Sequence, residues 1–458
     1  MTIGILRKER EMRVTFKKIA ILAIIFAIAF AFIPDMGVSK AYAGDSIDGG
    51  TYKASELKIY AGENLFCSGD ITIVMDTDLE LWTLNSDYDI TIKNSGSTKH
   101  KLTFNGKDAG IKGKNLSMDG ISLNVDHVPE GDIGGGTIAV YATNNVKISN
   151  SKVLIHTSGD GIISYQGSVT IENTELNLYL WEYDGTGVLA ADGYIAFKNV
   201  KGTIDAEMDY CIAVDTGGEI TISNCDLTVL GDTGCIYAGS FYISANNYVK
   251  TPASYKLVEL SNGQKVISNS KGITAKKVVF SKKYITDEIC TISVPNKVFT
   301  GSRITPVVVK WNGNKLTKDT HYTVKYTNNL NVGTAKVVIT GKGNYKGTVT
   351  KTFKILPKGT TLLTPTPKSK GVTVKWNAQK TKMSTSYITG YQINLAKDSK
   401  FTKGKVVKTV TGPSVVSKSV TGLAGSTTYY VRIRTYKVVS GVTYYSPWSA
   451  LKTVKTKA

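Results

Sequence analysis

One hydrophobic pattern recurs along the chain with a period of about 25 residues, which is typical of a solenoid. In each repeat an apolar–polar–apolar triplet precedes a turn residue. The turn residues are Asn94, Gly120, Asn150, Asn173, Asn199 and Asn224. The triplets end at Ile92, Met118, Ile148, Ile171, Phe197 and Ile222.

Two further apolar pairs recur in each repeat. One pair follows the turn by three and five residues: Leu123/Val125, Val153/Ile155, Leu176/Leu178, Gly202/Ile204 and Leu227/Val229. The other precedes the turn: Ile111/Gly113, Ile138/Val140, Ile162/Ser164, Val188/Ala190 and Cys211/Ala213. Three such strands cannot bury their apolar side alone, whereas stacked repeats bury it between coils about 4.8 Å apart. The pattern predicts an all-β fold, a right-handed parallel β-helix over residues 44–284, rather than a series of antiparallel hairpins.

The turns, cysteines and ends of the solenoid can also be predicted. Asn at a turn tolerates left-handed backbone angles. The five cysteines are odd in number and form no CxxC pair, so we expect thiols. Cys211 and Cys235 fall in one column a coil apart, where parallel side chains favour stacked thiols over a disulfide. The repeat fades at Gly49–Gly69 and Asn246–Lys283, the predicted caps.

The N-terminal segment is typical of an export signal. Lys17 and Lys18 precede an apolar run, Ile19–Ile33, that is shorter than the roughly 20 residues of a membrane-spanning helix. The small residues "AYA" follow at 41–43. This predicts a signal peptide over residues 1–43, with a signal anchor as the alternative. We expect a mature protein without a transmembrane segment, either secreted into the extracellular space or associated with the cell wall.

The net charge of +20 is divided unevenly along the chain. Residues 44–283 contain 20 Lys and no Arg against 29 acidic residues, while residues 284–458 contain 29 basic residues against 4 acidic ones. Such an excess of positive charge goes beyond what solubility requires. For an exported protein it predicts contact with an anionic surface, such as wall polymers, acidic glycans or lipid headgroups, rather than with nucleic acid.

From Ile285 the repeat gives way to short alternating strands typical of β-sandwiches. The segments "VFTGSRITP", "HYTVKYTNNLNVGTAKVVITGKGNYKGT" and "TFKI" resemble the bacterial immunoglobulin-like repeats of Gram-positive surface proteins. The resemblance covers residues 285–356 and implies a small β-sandwich. Residues 357–370 follow as a predicted linker. The stretch "LPKGT" at 356–360 differs from the sortase signal LPxTG in the order of its final residues.

The segments "GVTVKWNA", "ITGYQINLA", "VTGLAGSTTYYVRIRTY" and "YYSPWSALKTVKT" resemble a fibronectin type III module over residues 371–458. The resemblance implies a second β-sandwich and only structural roles for its signature residues. These are Trp376 as the core indole, Leu423 and Tyr429 as the tyrosine corner, and Ser446–Ser449 in the late strand.

Motifs for polysaccharide cleavage are missing from the sequence. No arginine lies between Arg13 and Arg303 to act as the base of a lyase, and neither an adjacent Asp pair nor a GHG motif is present. The histidines are scattered, and His156 is predicted to be a surface residue. GxSxG, HExxH and Walker motifs are also lacking. We expect no catalytic residue, with a polysaccharide lyase or glycosidase as the alternative.

The connection that leads into the next coil is acidic in successive repeats. It carries Asp126, Glu130, Asp132, Asp160, Glu182, Asp184, Asp205, Glu207, Asp209 and Asp232. Because Leu178 and Leu180 point inward, Trp181 should point outward, and an exposed indole between carboxylates suits a sugar ring. The candidate carbohydrate-binding residues are Trp181, Tyr183, Glu182, Asp184, Asp160 and Asp209. The alternatives are a solvated acidic loop, or a stripe of carboxylates that recruits Ca²⁺.

The coils, with their "GI…(V/I)TI.N" pattern, resemble the β-helical carbohydrate-binding domains of Gram-positive secreted proteins. This resemblance implies sugar binding without naming a sugar. We expect a secreted surface protein that binds glycans or cell-wall polymers or acts in adhesion, with the basic modules as spacers. No metal ligand or cofactor is predicted. A display stalk without a ligand is the remaining alternative.

Overall fold

The computed structural model describes residues 45–106, 109–126, 137–181, 185–206, 210–215, 217–232 and 234–458. The predicted signal peptide lies outside these residues. Within them the only α-helix is α1 (Ala54–Leu57), which a 3₁₀ turn (Lys58–Tyr60) follows. No helix in these ranges is long and apolar enough to cross a membrane.

Residues 45–284 form a β-solenoid of three long sheets, which confirms the predicted all-β fold with a parallel β-helix. Sheet A contains, in spatial order, β1 (Asp45–Ile47), β3 (Asn64–Cys67), β6 (Thr83–Ser86), β9 (Gly110–Gly113), β12 (Ile138–Ala142), β15 (Asp160–Ser164), β18 (Val188–Ala190), β21 (Tyr210–Val214), β24 (Gly234–Ala238), β28 (Lys265–Ser268) and β27 (Lys256–Glu259). Sheet B contains β2 (Gly50–Lys53), β4 (Ile71–Met75), β7 (Ile90–Asn94), β10 (Leu116–Asp119), β13 (Val146–Ser149), β16 (Val169–Glu172), β19 (Ile195–Lys198), β22 (Glu219–Ser223) and β25 (Ser240–Ile243). Sheet C contains β5 (Leu79–Leu81), β8 (Lys101–Asn105), β11 (Ser122–Asp126), β14 (Lys152–Thr157), β17 (Glu175–Leu180), β20 (Lys201–Ala206), β23 (Asp226–Gly231), β29 (Lys277–Tyr284) and β26 (Asn247–Thr251).

The predicted triplets build sheet B, and the pairs after the turn build sheet C. Each strand pairs in parallel with its counterpart one coil away, so equivalent apolar residues stack into buried columns. In sheet B one such column contains Ile92, Met118, Ile148, Ile171, Phe197 and Ile222. In sheet C another contains Val125, Ile155, Leu178, Ile204 and Val229.

The predicted columns of sheet A are wrong in two coils. Val140 and Ala142, not Ile138 and Val140, stack on Ile162 and Ser164. In the later coil Ile212, not Cys211, stacks on Val188. The connection between sheets C and A varies in length from coil to coil. The position of a residue relative to the turn therefore does not predict which residue it pairs with in the next coil.

Five of the six predicted turn residues between sheets B and C confirm the left-handed conformation, and Asn94 does not adopt it. Asn150, Asn173, Asn199 and Asn224 have φ of 51°, 50°, 54° and 55°, and Gly120 has φ of 72°. The Asn173 side-chain amide donates to Asn150 Oδ1 at 3.1 Å, and that of Asn199 donates to Asn173 Oδ1 at 2.7 Å. Asn224 donates in the same way to Asn199. The four turns therefore form one hydrogen-bonded asparagine ladder.

Asn94 belongs to the same alignment but has a different role. It ends β7, and its side-chain amide donates to the carbonyls of Gly96 and Thr98, both at 2.6 Å. The connection after Asn94 is longer than in the later coils, so the side chain holds a loop instead of joining the ladder.

Both predicted caps close the solenoid. At the N-terminal end, α1 buries Ala54 and Leu57 against the first coil. At the C-terminal end the chain reverses, and β28 and β29 pair antiparallel with β24 and β23. These contacts cover the ends of the apolar columns, which an uncapped solenoid would expose to water.

The five cysteines are free thiols, as the sequence predicts. Cys211 and Cys235 are buried in neighbouring coils, between the register pairs Tyr210–Gly234 and Ile212–Ile236. Their Sγ atoms donate to the carbonyls of Leu230 and Val229 at 2.5 and 3.2 Å. Burial raises the pKa of the Cys67 thiol and of the Cys225 thiol to about 11.

The middle sandwich comprises two sheets that enclose a core around Val309, Val337 and Ile339. Its first sheet contains β30 (Cys290–Ser293), β32 (Val308–Trp311) and β33 (Asn314–Lys315). Its second sheet contains β31 (Lys297–Val298), β37 (Thr348–Leu356), β35 (Gly333–Gly341) and β34 (Tyr322–Thr327). A short strand, β36 (Tyr345–Lys346), pairs with β29 and so joins this sandwich to the solenoid through backbone hydrogen bonds.

The C-terminal sandwich also has two sheets. The first contains β38 (Thr366–Lys368), β39 (Gly371–Lys375) and β42 (Ser417–Thr421). The second contains β41 (Val406–Thr411), β40 (Gly390–Ala396), β43 (Thr428–Val439), β44 (Val442–Tyr445) and β45 (Lys452–Lys455). Trp376 is buried between them, and the Tyr429 hydroxyl accepts the Ala424 N–H at 3.1 Å, in keeping with the expected core indole and tyrosine corner.

The segment 357–370, predicted to be a linker, takes part in the C-terminal sandwich. Leu362 is buried and bridges to Trp376, and β38 pairs with β39. The apolar core of this sandwich is continuous with Phe353 and Ile355 of the middle one. A composition rich in Pro, Thr and Lys conceals these packing positions, because only a few of its residues are apolar.

The asparagine ladder should contribute measurably to stability. We expect Asn173→Ala to lower the free energy of unfolding by about 2 to 3 kcal/mol, because Ala disfavours the left-handed conformation and both ladder hydrogen bonds are lost. Asn173→Gly keeps the conformation and should lose about 1 kcal/mol. Urea unfolding of the three proteins measures both values. Equal stability of the Ala and Gly variants would show that the left-handed conformation of Asn173 does not contribute to the loss.

The N-terminal end of the ladder should make stability depend on pH. Asp119 Oδ1 accepts hydrogen bonds from Ser149 Oγ and Asn150 Nδ2, both at 2.7 Å, and these bonds lower the pKa of Asp119. A folded-state pKa below the unfolded value stabilises the fold above about pH 4, and this stabilisation disappears as the pH falls through the folded-state pKa.

We therefore expect Asp119→Asn to be less stable than the unmodified protein at pH 7, with the difference shrinking toward pH 3. Urea unfolding at both pH values measures it. Asp87→Asn, at an exposed carboxylate, is the control and should show little difference at either pH. A deficit for Asp119→Asn that is the same at both pH values would exclude this linkage.

Candidate functional site

One outward column of sheet C brings polar and aromatic side chains together. Five residues are register partners in successive strands, and we call them the outer row: Asn105, Asp126, His156, Tyr179 and Asp205. Each follows an inward-pointing residue of its strand, so its side chain projects from the outer face. Neighbours in the row are about 4.8 Å apart, because that is the spacing of paired strands.

The centre of the outer row is held by contacts among its members. His156 Nδ1 lies 3.9 Å from Asp126 Oδ1. The imidazole ring also packs on Tyr179, with the ring centroids 5.1 Å apart and the planes inclined by 55°. The imidazole thus connects an acidic group to an aromatic ring. A polar contact this exposed adds little stability, so its main effect is to orient the imidazole.

Trp82 extends the row at its N-terminal end. Leu81 pairs with Phe104, which places Trp82 in line with Asn105. A Cβ built on Gly106 would lie 3.7 Å from Cγ and Cδ1 of the Trp82 indole, so the ring lies against a residue without a side chain. Gly106 has φ of 148°, which favours glycine. Trp82 is 48% exposed, so its indole is accessible from solvent.

Trp181 projects outward, as the alternation predicts. It follows the end of β17, its backbone N–H donates to the Thr157 carbonyl at 3.4 Å, and the residue is 38% exposed. The other three residues of the predicted aromatic and acidic loop, Glu182, Tyr183 and Asp184, lie outside the described residues, as does Asp209. The structure therefore brings Trp181 to the edge of the outer row, two positions beyond Tyr179.

The predicted stripe of stacked carboxylates differs from the arrangement of the described acids. Asp126 and Asp205 share the outer row but are separated by His156 and Tyr179. Asp160 begins β15, where its Oδ1 accepts the Thr186 N–H at 2.7 Å and so holds the next coil. Asp232 pairs with Lys276 at 3.1 Å. Repulsion between like charges explains why other groups stand between these acids.

Carboxylates near the row do not form a metal site in the part of the chain that the structure describes. There, no group of three or more His, Cys, Asp or Glu side chains is placed to hold an ion. The row instead presents ring faces together with carboxylate, amide and imidazole groups. From the coil of Trp82 to that of Tyr179 this surface extends along the solenoid axis for four coil spacings, or about 19 Å.

A second concave region lies between the last coil and the middle sandwich. This cleft of about 840 Å³ is lined by Tyr248, Tyr255, Lys250, Asp287 and Trp311, among others. The Tyr248 hydroxyl donates to Asp287 Oδ2 at 3.0 Å, and Lys250 Nζ lies 4.0 Å from Asp287 Oδ1. Burial, with the nearby Asp287 carboxylate, raises the pKa of Tyr248. The Asp287 carboxylate therefore contacts both Tyr248 and Lys250, and these contacts link the last coil to the start of the middle sandwich.

Sequence reasoning did not identify Trp82, Tyr179 and His156 as members of one surface. The signal was present, since His156 and Tyr179 each follow the second inward residue of a sheet C strand. Trp82 was missed because its coil precedes Asn94, from which the repeats were aligned. His156 was predicted to lie on the surface, and its side chain is 39% exposed.

Comparison with known proteins does not identify a family. No protein-family model matches the chain, and no curated protein matches its sequence. One similar solved structure is a β-1,2-glucanase from Parabacteroides distasonis, with 14% identity over 27% of this chain and 18% of the glucanase, and a TM-score of 0.17. Another is the chicken CNTN1 FN1–FN3 domains, with 12% identity over 46% of this chain and 89% of that one, and a TM-score of 0.19. Neither superposition is close enough to carry an argument about this chain.

The exposure of the two solenoid indoles can be measured directly. Hydroxyl-radical footprinting with mass spectrometry should oxidise Trp82 and Trp181 far faster than Trp376, which is 1% exposed. Trp311, at 7%, serves as a second protected reference. Protection of Trp82 or Trp181 to the level of Trp376 would show that the outer row is covered.

Proposed function

We propose that the protein is exported and binds carbohydrate at a cell surface through the outer row together with Trp82 and Trp181. The observation that carries the proposal is the alignment of exposed indoles with the outer row on one face of the solenoid. The basic sandwiches then act as spacers that contact an anionic surface. The chain would thereby connect a glycan to a cell wall or membrane surface.

The chemistry of the row suits a sugar better than a peptide or a lipid. Aromatic rings that are partly exposed offer an apolar face to the CH groups of a pyranose. Asn105, Asp126 and His156 stand between the rings and can hydrogen-bond hydroxyl groups. A single exposed aromatic residue is common on protein surfaces. Here three exposed aromatic residues, Trp82, Tyr179 and Trp181, lie along one edge of the solenoid, and this grouping favours a binding role.

Charge favours a neutral glycan at this site. The solenoid segment carries more acidic than basic residues, and Asp126 and Asp205 belong to the row itself. A uronic acid or a phosphate would be repelled here. Acidic polymers are instead expected at the basic sandwiches, so the two parts of the chain would bind ligands of different charge.

Substitution of the indoles tests the proposal. On an array of neutral glycans, we expect the full chain to bind, and Trp181→Ala and Trp82→Ala each to weaken binding by about tenfold or more, because each removes a ring face. Tyr242→Ala is the matched control, since Tyr242 is an exposed aromatic residue on sheet B, and its affinity should stay within about twofold.

The remaining outcomes separate the alternatives. Release of reducing ends or unsaturated uronates from a polysaccharide would identify an enzyme. If the chain shows neither binding nor cleavage, it is a display stalk. Equal loss of affinity in Tyr242→Ala and Trp181→Ala would contradict the outer row as the site.

A further inference from the structure

The outer face of the C-terminal sandwich carries a continuous stack of alternating aromatic rings and guanidinium groups. We call it the arginine stack, and its members in order are Phe401, Arg432, Trp448, Arg434 and Tyr445. Arg432 Cζ lies 3.8 Å from the Phe401 ring centroid and 4.4 Å from that of Trp448. Arg434 Cζ lies 4.3 Å from the Trp448 centroid and 3.8 Å from that of Tyr445.

The alternation of β43 positions the two cations. Val431 and Ile433 are buried in the core, so Arg432 and Arg434 project from the opposite face of the sheet. Two residues along a strand separate their Cα atoms by about 6.8 Å, which leaves room for one indole between them. Contact with rings on both sides restricts each guanidinium to its plane, so its orientation is fixed before any ligand arrives.

Neither guanidinium is neutralised by an acidic side chain. Residues 320–458, all of which the structure describes, form no ion pair within 4 Å. Their sole acidic residue is Asp398. Its carboxylate accepts the N–H groups of Thr402 and Lys403 at 3.0 and 2.7 Å, and so shapes the loop that carries Phe401. Half-buried guanidinium groups are usually paired with carboxylates, which makes the lack of a partner in this stretch notable.

The two arginines differ in which N–H donors are already hydrogen-bonded within the protein. Arg434 uses Nε and Nη2 on the side-chain oxygen of Gln392. Arg432 Nε is buried without a hydrogen-bond partner, and so is Oδ1 of its cross-strand neighbour Asn394. Aromatic rings cover the two faces of the Arg432 guanidinium. Only its edge, which carries the Nη groups, is then available to another molecule.

We propose that the arginine stack binds the oxyanions of an acidic polymer, with Arg432 supplying the principal contact. The edge of a guanidinium matches the two oxygens of a carboxylate or a phosphate in a bidentate arrangement. Because stacking fixes the side chains in advance, little conformational entropy is lost on binding. This inference deepens the proposed contact with an anionic surface, and rests on it, by assigning that contact to a specific site.

The alternative to a specific site is a diffuse attraction by the many lysines of both sandwiches. Lysine is a strongly hydrated point charge, and a diffuse lysine surface contributes in proportion to its charge. The arginine stack depends on geometry as well as charge. Replacing its arginines by lysine keeps the positive charge but removes the planar guanidinium group. Charge and geometry can therefore be separated by substitution.

The test uses the full chain and two immobilised polymers, polygalacturonate for carboxylate and polyphosphate for phosphate. We expect Arg432→Gln/Arg434→Gln to weaken binding by about tenfold or more. The control Lys375→Gln/Lys418→Gln removes the same charge from exposed positions on the opposite sheet and should weaken it by at most about threefold. Binding that favours one polymer identifies the oxyanion source, and binding to both supports recognition of the shared chemistry.

A second double variant guards against loss of the fold. Arg432→Lys/Arg434→Lys should keep the thermal unfolding midpoint near that of the unmodified protein and still weaken binding by about fivefold or more, because the fork is lost. If Arg432→Lys/Arg434→Lys binds as tightly as the unmodified protein, the proposal is overturned. Equal losses of affinity in Arg432→Gln/Arg434→Gln and in the control Lys375→Gln/Lys418→Gln would also overturn it. If the unmodified chain binds neither polymer, the contact with an anionic surface fails as a whole.

Discussion

Backbone hydrogen bonding between successive coils is the constraint on which the solenoid depends. It fixes the coil spacing at about 4.8 Å and places equivalent residues directly above one another. Inward positions therefore become apolar columns such as the one through Ile148 and Ile171, and the turns become an asparagine ladder. The outer row arises in the same way. A side chain on the outer face therefore lies next to its counterparts in the preceding and following coils.

The same constraint explains how regular structure holds the surface proposed to bind carbohydrate. Loops are not needed to position Asp126, His156 and Tyr179, because paired strands align them. In the C-terminal sandwich, alternation within a single strand has the same effect, and it sends Arg432 and Arg434 to one face. Both surfaces are extensions of regular structure, and they carry opposite charge. The proposed binding of a neutral glycan and of an acidic polymer assigns the two ligands to different parts of the chain on this basis.

The joints between units contribute to this arrangement. β36 pairs with β29, and the aromatic contact between Tyr248 and Trp311 packs the last coil on the middle sandwich. The two sandwiches share an apolar core, and the Thr334 and Tyr444 hydroxyls hydrogen-bond across it at 2.9 Å. Separating the units would expose apolar surface and break backbone pairing.

The sequence by itself determined the period, the inward residues of sheets B and C, the left-handed turns, the free thiols and the outward direction of Trp181. These follow from local alternation and from a turn of nearly constant length, so residue counting keeps its phase. Only the tertiary structure decided the columns of sheet A, the backbone contact of Asp160, the burial of Leu362 and the neighbours of His156. The connection from sheet C to sheet A varies in length, so the pairing of sheet A strands does not follow from residue spacing. The ring contacts of Arg432 join segments that are distant in the sequence, so they also depend on the tertiary structure.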